Sequence, residues 1–147
     1  MYLLLLRDLP GGGGGTEVLL HLRAGTGYRD GHWAVLAGHV EHGESVFEAA
    51  VREADEEAGV HVAVTDLQPL CTVHRTLRGG GPIEQRADFF LAARHWTGTP
   101  RVMEPDKAAE MAFYPLTALP EPGVPHERLV LDHLVAGSVP PVLTAGF

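Results

Sequence analysis

Apolar positions are spaced like strands at the start of the chain, like a helix in its middle, and like strands again beyond it. Residues 3–9 and 17–23 read as two strands, joined by the glycine run 11–15, which is too flexible to belong to either. A loop at 24–32, carrying Gly25, Gly27 and Gly31, leads into the apolar stretch 33–36, expected as one buried strand. Over 45–58 the spacing turns helical. Ser45 followed three residues later by Glu48 makes a capping box, and Gly59 supplies the stop. Two β-like stretches come next, 61–77 and 83–96, separated by the turn 78–82 and expected to pair. Residues 109–114 read as a last short strand, 116–119 as a turn and 126–135 as a helix. Pro140 and Pro141 then end regular structure, leaving a loosely held tail at 138–147 after one domain at 1–137. Strands on both sides of a central helix, with a terminal helix, predict an α/β fold whose mixed sheet carries helices on its faces.

Length and charge narrow the picture. A chain of 147 residues suits a single core. The apolar run 2–6 is far shorter than the roughly 20 residues a membrane helix needs. It is also too short for a secretory signal and has no basic stretch before it, so a cytoplasmic protein without a membrane partner is expected. A formal charge of −8 disfavours a nucleic-acid polymer as partner, because phosphate backbones require clustered Lys and Arg. A small phosphorylated molecule remains open if a cation neutralises the acidic region receiving it. Cys71 is the single cysteine, which excludes an internal disulfide and fits a small core residue. His32, His39 and His42 lack metal-ligand spacing, and the glycine run lacks the Lys-Ser/Thr ending of a phosphate-binding P-loop.

The helix holds the candidate chemistry. On a wheel of about 100° per residue, Phe47, Ala50, Val51, Ala54 and Ala58 form the packing stripe, while Glu53, Glu56 and Glu57 share another side. Like charges so spaced repel and raise one another's pKa. A hard divalent cation such as Mg²⁺ relieves that, since it takes oxygen ligands and is commonly shared between carboxylates and substrate phosphates. The same acids are equally compatible with an ordinary solvated face. Glu48 and Asp55 point elsewhere.

The segment before the helix changes that balance. Gly38 is followed after five residues by Glu44, then after seven by Arg52-Glu53-Ala54-Asp55-Glu56-Glu57-Ala58-Gly59-Val60. This resembles the Nudix box at every defining position, and the order of flanking elements resembles the Nudix α/β/α sandwich with its mixed central sheet. The resemblance implies a Mg²⁺-dependent hydrolase, with Mn²⁺ as a substitute, that cuts a diphosphate linkage in a small nucleotide-like substrate. It further implies that Glu44, Glu53, Glu56 and Glu57 hold metal and that Arg52 orients the following glutamate. The Gly38 to Gly43 loop, Gly38 and His39 included, is similar to the loop that delivers metal and phosphate to the helix N-terminus. Downstream, Glu104-Pro105-Asp106-Lys107 resembles a segment of triphosphate-cleaving members, making Glu104 a candidate extra ligand or water-activating base. A solvated turn is the equal alternative.

Substrate markers divide. Val35-Leu36-Ala37-Gly38 stands where many triphosphate-cleaving relatives have Leu-Pro-Gly-Gly, and its Ala-Gly pair resembles relatives acting on ADP-ribose. The proline that many of those carry beyond the box is absent, its place taken by the stretch His74, Arg75 and Thr76. A nucleoside triphosphate, modified ones included, cut to monophosphate and pyrophosphate is the favoured expectation. ADP-ribose or another nucleoside diphosphate derivative comes second. A regulatory domain that binds nucleotide without turnover is the reading from another class. The chain is expected as a monomer or homodimer.

Overall fold

The computed structural model describes residues 1–147. β1 (Tyr2–Asp8) and β2 (Thr16–Arg23) pair antiparallel, with Leu6 opposite Val18 and Asp8 opposite Thr16. Leu3 to Leu6 are all buried, with no polar alternation, because both faces of β1 are covered. Leu3 and Leu5 pack with Leu19 and with Ala49, Ala50, Ala54 and Ala58; Leu4 and Leu6 pack with Val18, Val130 and Leu131.

The stretch expected as one strand at 33–36 is two short pieces, β3 (Trp33–Ala34) and β4 (Leu36–Ala37). It breaks at Val35 because it changes neighbours there: Ala34 faces His21 of β2, whereas Leu36 and Ala37 face Leu3 and Tyr2 of β1. Next along the chain comes α1 (Val46–Glu53), continued by a π-helical turn at Ala54–Ala58 rather than by further α-helix.

β5 (Gln68–Arg75) and β6 (Arg86–Ala93) pair as expected but are shorter than the sequence suggested. Val64–Asp66 and Pro82–Glu84 are single 3₁₀ turns, and His61 joins the sheet only through an isolated bridge to Thr97. β7 (Ala108–Pro115) lies along nearly all of β2. α2 (Pro125–Val135) opens on a proline, whose missing N–H costs nothing in a first helical turn.

The segment expected as a loose tail is corrected by β8 (Val142–Ala145), which runs parallel to β5 from Thr72 opposite Val142 to Arg75 opposite Ala145. Pro140 and Pro141 stop a helix, but just before an edge strand they remove no ladder donor. Pro141 in fact accepts the Thr72 N–H at 2.9 Å.

β6 is parallel to β1 and β8 to β5, while the remaining pairs are antiparallel, so the sheet is mixed. α1 and α2 pack against opposite sides of β1. No helix is long and apolar enough to cross a membrane.

Candidate active site

The start of α1 is built as its sequence dictates. Ser45 Oγ accepts the Glu48 N–H at 3.2 Å and Glu48 Oε2 accepts the Ser45 N–H at 2.8 Å, closing the capping box. The Ser45 N–H, above all, holds the Glu48 carboxyl below its usual range. Asp55 faces His61 Nδ1 at 3.4 Å across a largely exposed contact. Both acids therefore lie away from the candidate site.

Arg52 is the hub of that site. Its Nε and Nη2 donate to the two oxygens of Glu44 at 2.9 and 3.1 Å. Nη1 donates to Glu53 Oε1 at 2.7 Å and to Glu56 Oε2 at 3.2 Å, and Nη2 also reaches the His39 carbonyl at 3.0 Å. A planar fork satisfied on all sides fixes its partners far better than a loose surface ion pair. The arginine also lowers the Glu44 pKa, chiefly by hydrogen bonding. His39 contributes its backbone carbonyl, while its side chain is exposed.

Gly38 is glycine for a steric reason. A Cβ there would sit 1.7 Å from Glu53 Oε1, so the carboxylate occupies the space any other residue would need.

The π-helical turn separates the three acids that the wheel grouped. A wider turn rotates the residues beyond it relative to a regular helix. Glu57 is carried inward, where its Oε2 accepts the Ala37 N–H at 2.9 Å. Glu56 remains outside, its side chain 54% exposed and touching only the outer edge of Arg52. Glu53 is buried between Arg52 and Gly38. Thus the acids form a graded row, and no three acidic, histidine or cysteine side chains close around one point.

Burial raises the Glu53 pKa, against the opposing pull of Arg52, with Glu56 and Glu104 adding to the rise. Glu57 is pushed up to about 8, first by burial, then by Glu53 and Glu104, with the Ala37 N–H and Arg23 opposing. Glu104 thus lies near enough to both to be felt as charge. It also accepts from Lys107 Nζ at 2.8 Å. The loop that carries it is stitched to the helix end: Arg101 N–H donates to Ala58 O at 3.0 Å and Met103 N–H to Glu57 O at 3.2 Å. Gly59, at φ +66°, makes that closure possible, since a Cβ there would meet Met103 Sδ at 2.9 Å.

These groups fit a hard divalent cation by their chemistry. The donors are all oxygen, and burial holds the Glu53 and Glu57 carboxyls above their ordinary range, an environment in which a cation would favour their ionised forms.

Two participants escaped the sequence reading. Arg23, at the end of β2, opposes the rise of both Glu57 and Glu127. Its guanidinium holds the adjoining loop through Tyr28 O at 2.9 Å and Thr26 Oγ1 at 3.1 Å, and Asp30 ties the loop together by accepting from Thr26 and Gly27. Glu127 is buried in the first turn of α2, where its Oε2 accepts the Val35 N–H at 2.7 Å. An acid just after a helix start reads in sequence as an ordinary dipole partner, so nothing signalled its burial.

Known proteins share this fold. The NUDIX domain family matches residues 9–134. The human 8-oxo-dGDP phosphatase NUDT18 is 36% identical over 122 residues, which are 82% of this chain and 35% of that protein. The chain thus spans about a third of that relative's length. A MutT NUDIX hydrolase from Burkholderia pseudomallei superposes with a TM-score of 0.71 at 27% identity, covering 89% of this chain and 95% of its own. The NUDIX domain of Shewanella oneidensis NrtR, solved with ADP ribose, also gives 0.71, over 92% of this chain and 84% of its own, but at 15% identity that likeness is one of fold. With the complete box folded around Arg52 and the family match running through most of its length, the chain belongs to the Nudix hydrolase family.

Proposed function

We propose that this protein hydrolyses a diphosphate linkage in a small nucleotide-like substrate with the help of Mg²⁺, for which Mn²⁺ substitutes. The observation that carries the reading is Glu57: a half-buried carboxylate at the inner end of the helix, held by the Ala37 N–H at 2.9 Å, four residues from the buried Glu53. Such a group is destabilising in a resting fold and useful in one that receives a cation.

Glu53, Glu56 and Glu57, supported by Glu44, would hold the metal. When bound, the cation neutralises phosphate oxygens and makes a water more acidic. Arg52 keeps Glu53 and Glu44 from swinging toward each other or into solvent. Gly38 leaves its own space to the Glu53 carboxylate. Glu104, held by Lys107, takes the proton of the attacking water as the phosphorus–oxygen bond breaks. The loop 24–32, braced by Arg23 and Asp30, and the loop 78–86 select the rest of the substrate.

A nucleoside triphosphate, modified bases included, cut to monophosphate and pyrophosphate is the favoured substrate, on the strength of Glu104 to Lys107. A nucleoside diphosphate is the second reading, favoured by the likeness to human 8-oxo-dGDP phosphatase over most of this chain. One experiment separates them: incubation with a panel of plain and 8-oxo triphosphates, the matching diphosphates and ADP-ribose, with Mg²⁺ and with excess chelator, products identified by mass spectrometry. Turnover of triphosphates that stops in chelator supports the first reading. Faster cleavage of diphosphates or ADP-ribose reverses the ranking. Binding without product, across the panel, would make the domain a nucleotide sensor instead.

A further inference from the structure

The two helices grip one short strand segment from opposite faces of the sheet. Glu57, just past α1, accepts the Ala37 N–H at 2.9 Å, and Glu127, in α2, accepts the Val35 N–H at 2.7 Å. Leu36 between them is laddered to Leu3 of β1. By the alternation of an extended chain, the amides of Val35 and Ala37 point to the edge that β1 leaves free. Two carboxyls, Glu127 buried and Glu57 half-buried, thus stand where a neighbouring strand would have supplied acceptors. Gly38 comes directly after, with the Glu53 carboxylate packed on it.

Satisfying the Val35 N–H alone does not account for Glu127. Water, a carbonyl or a hydroxyl would serve, whereas a fully buried carboxyl is an expensive acceptor, its pKa driven up to about 8 chiefly by burial. What a side chain rooted in α2 adds is rigidity. The segment also receives bonds from the α2 approach at Trp33, whose N–H and carbonyl engage Pro122 and Val124 at 2.8 and 3.0 Å.

We propose that Glu127 is a positioning residue for the acidic site: by fixing Val35 it fixes the Ala37 amide that aims Glu57 at a bound divalent cation. The inference rests on the metal-dependent reading above and concerns how α2, which carries none of the box, contributes to it. Removing an outer partner of a metal ligand commonly weakens metal affinity by about 10- to 100-fold. Glu127→Leu deletes the acceptor, whereas Glu127→Gln keeps a carbonyl oxygen at the same reach.

The test measures Mn²⁺ affinity by electron paramagnetic resonance and hydrogen exchange at the Val35 and Ala37 amides by NMR, in wild type and both variants. Glu127→Leu is expected to weaken Mn²⁺ binding by about 10-fold and to speed exchange at Ala37 as well as Val35, although Glu57 is intact; Glu127→Gln should stay within about twofold of wild type. Faster exchange confined to Val35, with Ala37 and Mn²⁺ affinity unchanged, overturns the proposal. Should Glu127→Leu fail to fold, the wild type decides: coupling is reciprocal, so Mg²⁺ must slow exchange at Val35 along with Ala37, and a silent Val35 overturns the inference. These measurements need no substrate. A protein that binds Mn²⁺ but cleaves nothing in the panel would therefore fail the functional reading while leaving the Glu127 test intact. Wild type that binds no Mn²⁺ would sink both the metal dependence and this inference.

Discussion

The inner and outer acids of the central helix are the same chemical groups in opposite circumstances. Glu48 is exposed, its carboxylate accepts the Ser45 N–H, and it is held more acidic than usual. Glu57, nine positions on, is mostly buried, has one backbone donor and is held far less acidic. Charge density along the helix therefore does not define the site. What differs is whether each carboxylate is solvated and bonded or stripped of water beside others of its kind. Glu48 is held as an ion by its cap, whereas at Glu57 burial favours the protonated form until positive charge arrives.

The largest expected effect comes from changing an inner acid. Glu57→Gln should lower turnover number by about 10² to 10³, corresponding to roughly 3 to 4 kcal/mol of lost transition-state stabilisation. Its melting temperature without metal should hold or rise, since a neutral amide sits more readily where a carboxylate is buried. A loss of folding together with activity would erase the distinction between inner and outer acids. Gly38→Ala comes next. Displacing Glu53 by a fraction of its own length should cost about 10² in turnover, because reacting groups tolerate little misplacement. Circular dichroism and kcat at saturating Mg²⁺ check it, and near-normal turnover would show that the close approach at Gly38 is incidental.

A pH dependence sharpens the contrast. The Glu57 and Glu127 pKa values are raised from 4.5 to about 8 in the fold. Between those limits the folded chain holds protons that the unfolded chain has released, so metal-free stability falls as pH rises through that window. Mg²⁺ favours the ionised form of Glu57, so the rise in melting temperature it causes should be larger at pH 8 than at pH 6. Calorimetry at both pH values, with and without Mg²⁺, makes the check; an equal gain would mean that the inner acids are already ionised.

The outer acids should give the smallest effects. Glu48→Gln and Asp55→Asn should leave turnover within about twofold, and Ser45→Ala should cost about 1 kcal/mol of stability through the lost cap with little change in kcat. Comparable turnover losses here and at Glu57 would collapse the comparison.

Much of this was legible in the chain because it is local. The capping box and the stop at Gly59 depend on neighbours a few residues away and stand as read; the packing stripe keeps Ala50, Ala54 and Ala58 but adds Ala49 and leaves Phe47 and Val51 only partly buried. The π-helical turn was not legible, since Ala54 to Ala58 carry good helix formers and the widened turn accompanies closure of the 101–103 loop on the helix end. Its consequence, that Glu56 and Glu57 face different surroundings, was hidden for the same reason. Arg23 and Glu127 depend on partners far away in sequence and have no spacing to mark them. β8 was missed because its four residues become a strand only by lying along β5.

The stitching of Arg101 and Met103 to the end of the central helix has a bearing on how such a chain can be rebuilt. Glu104 takes its place from the carbonyls of Glu57 and Ala58, and Lys107, through its own carbonyl, receives the Ala24 N–H at 2.9 Å on the far side. Residues 101–107 thus form a bridge with both abutments fixed. Exchanging this segment between relatives would transplant an acid whose position belongs to the host helix, so a functional graft must carry the helix terminus with the loop.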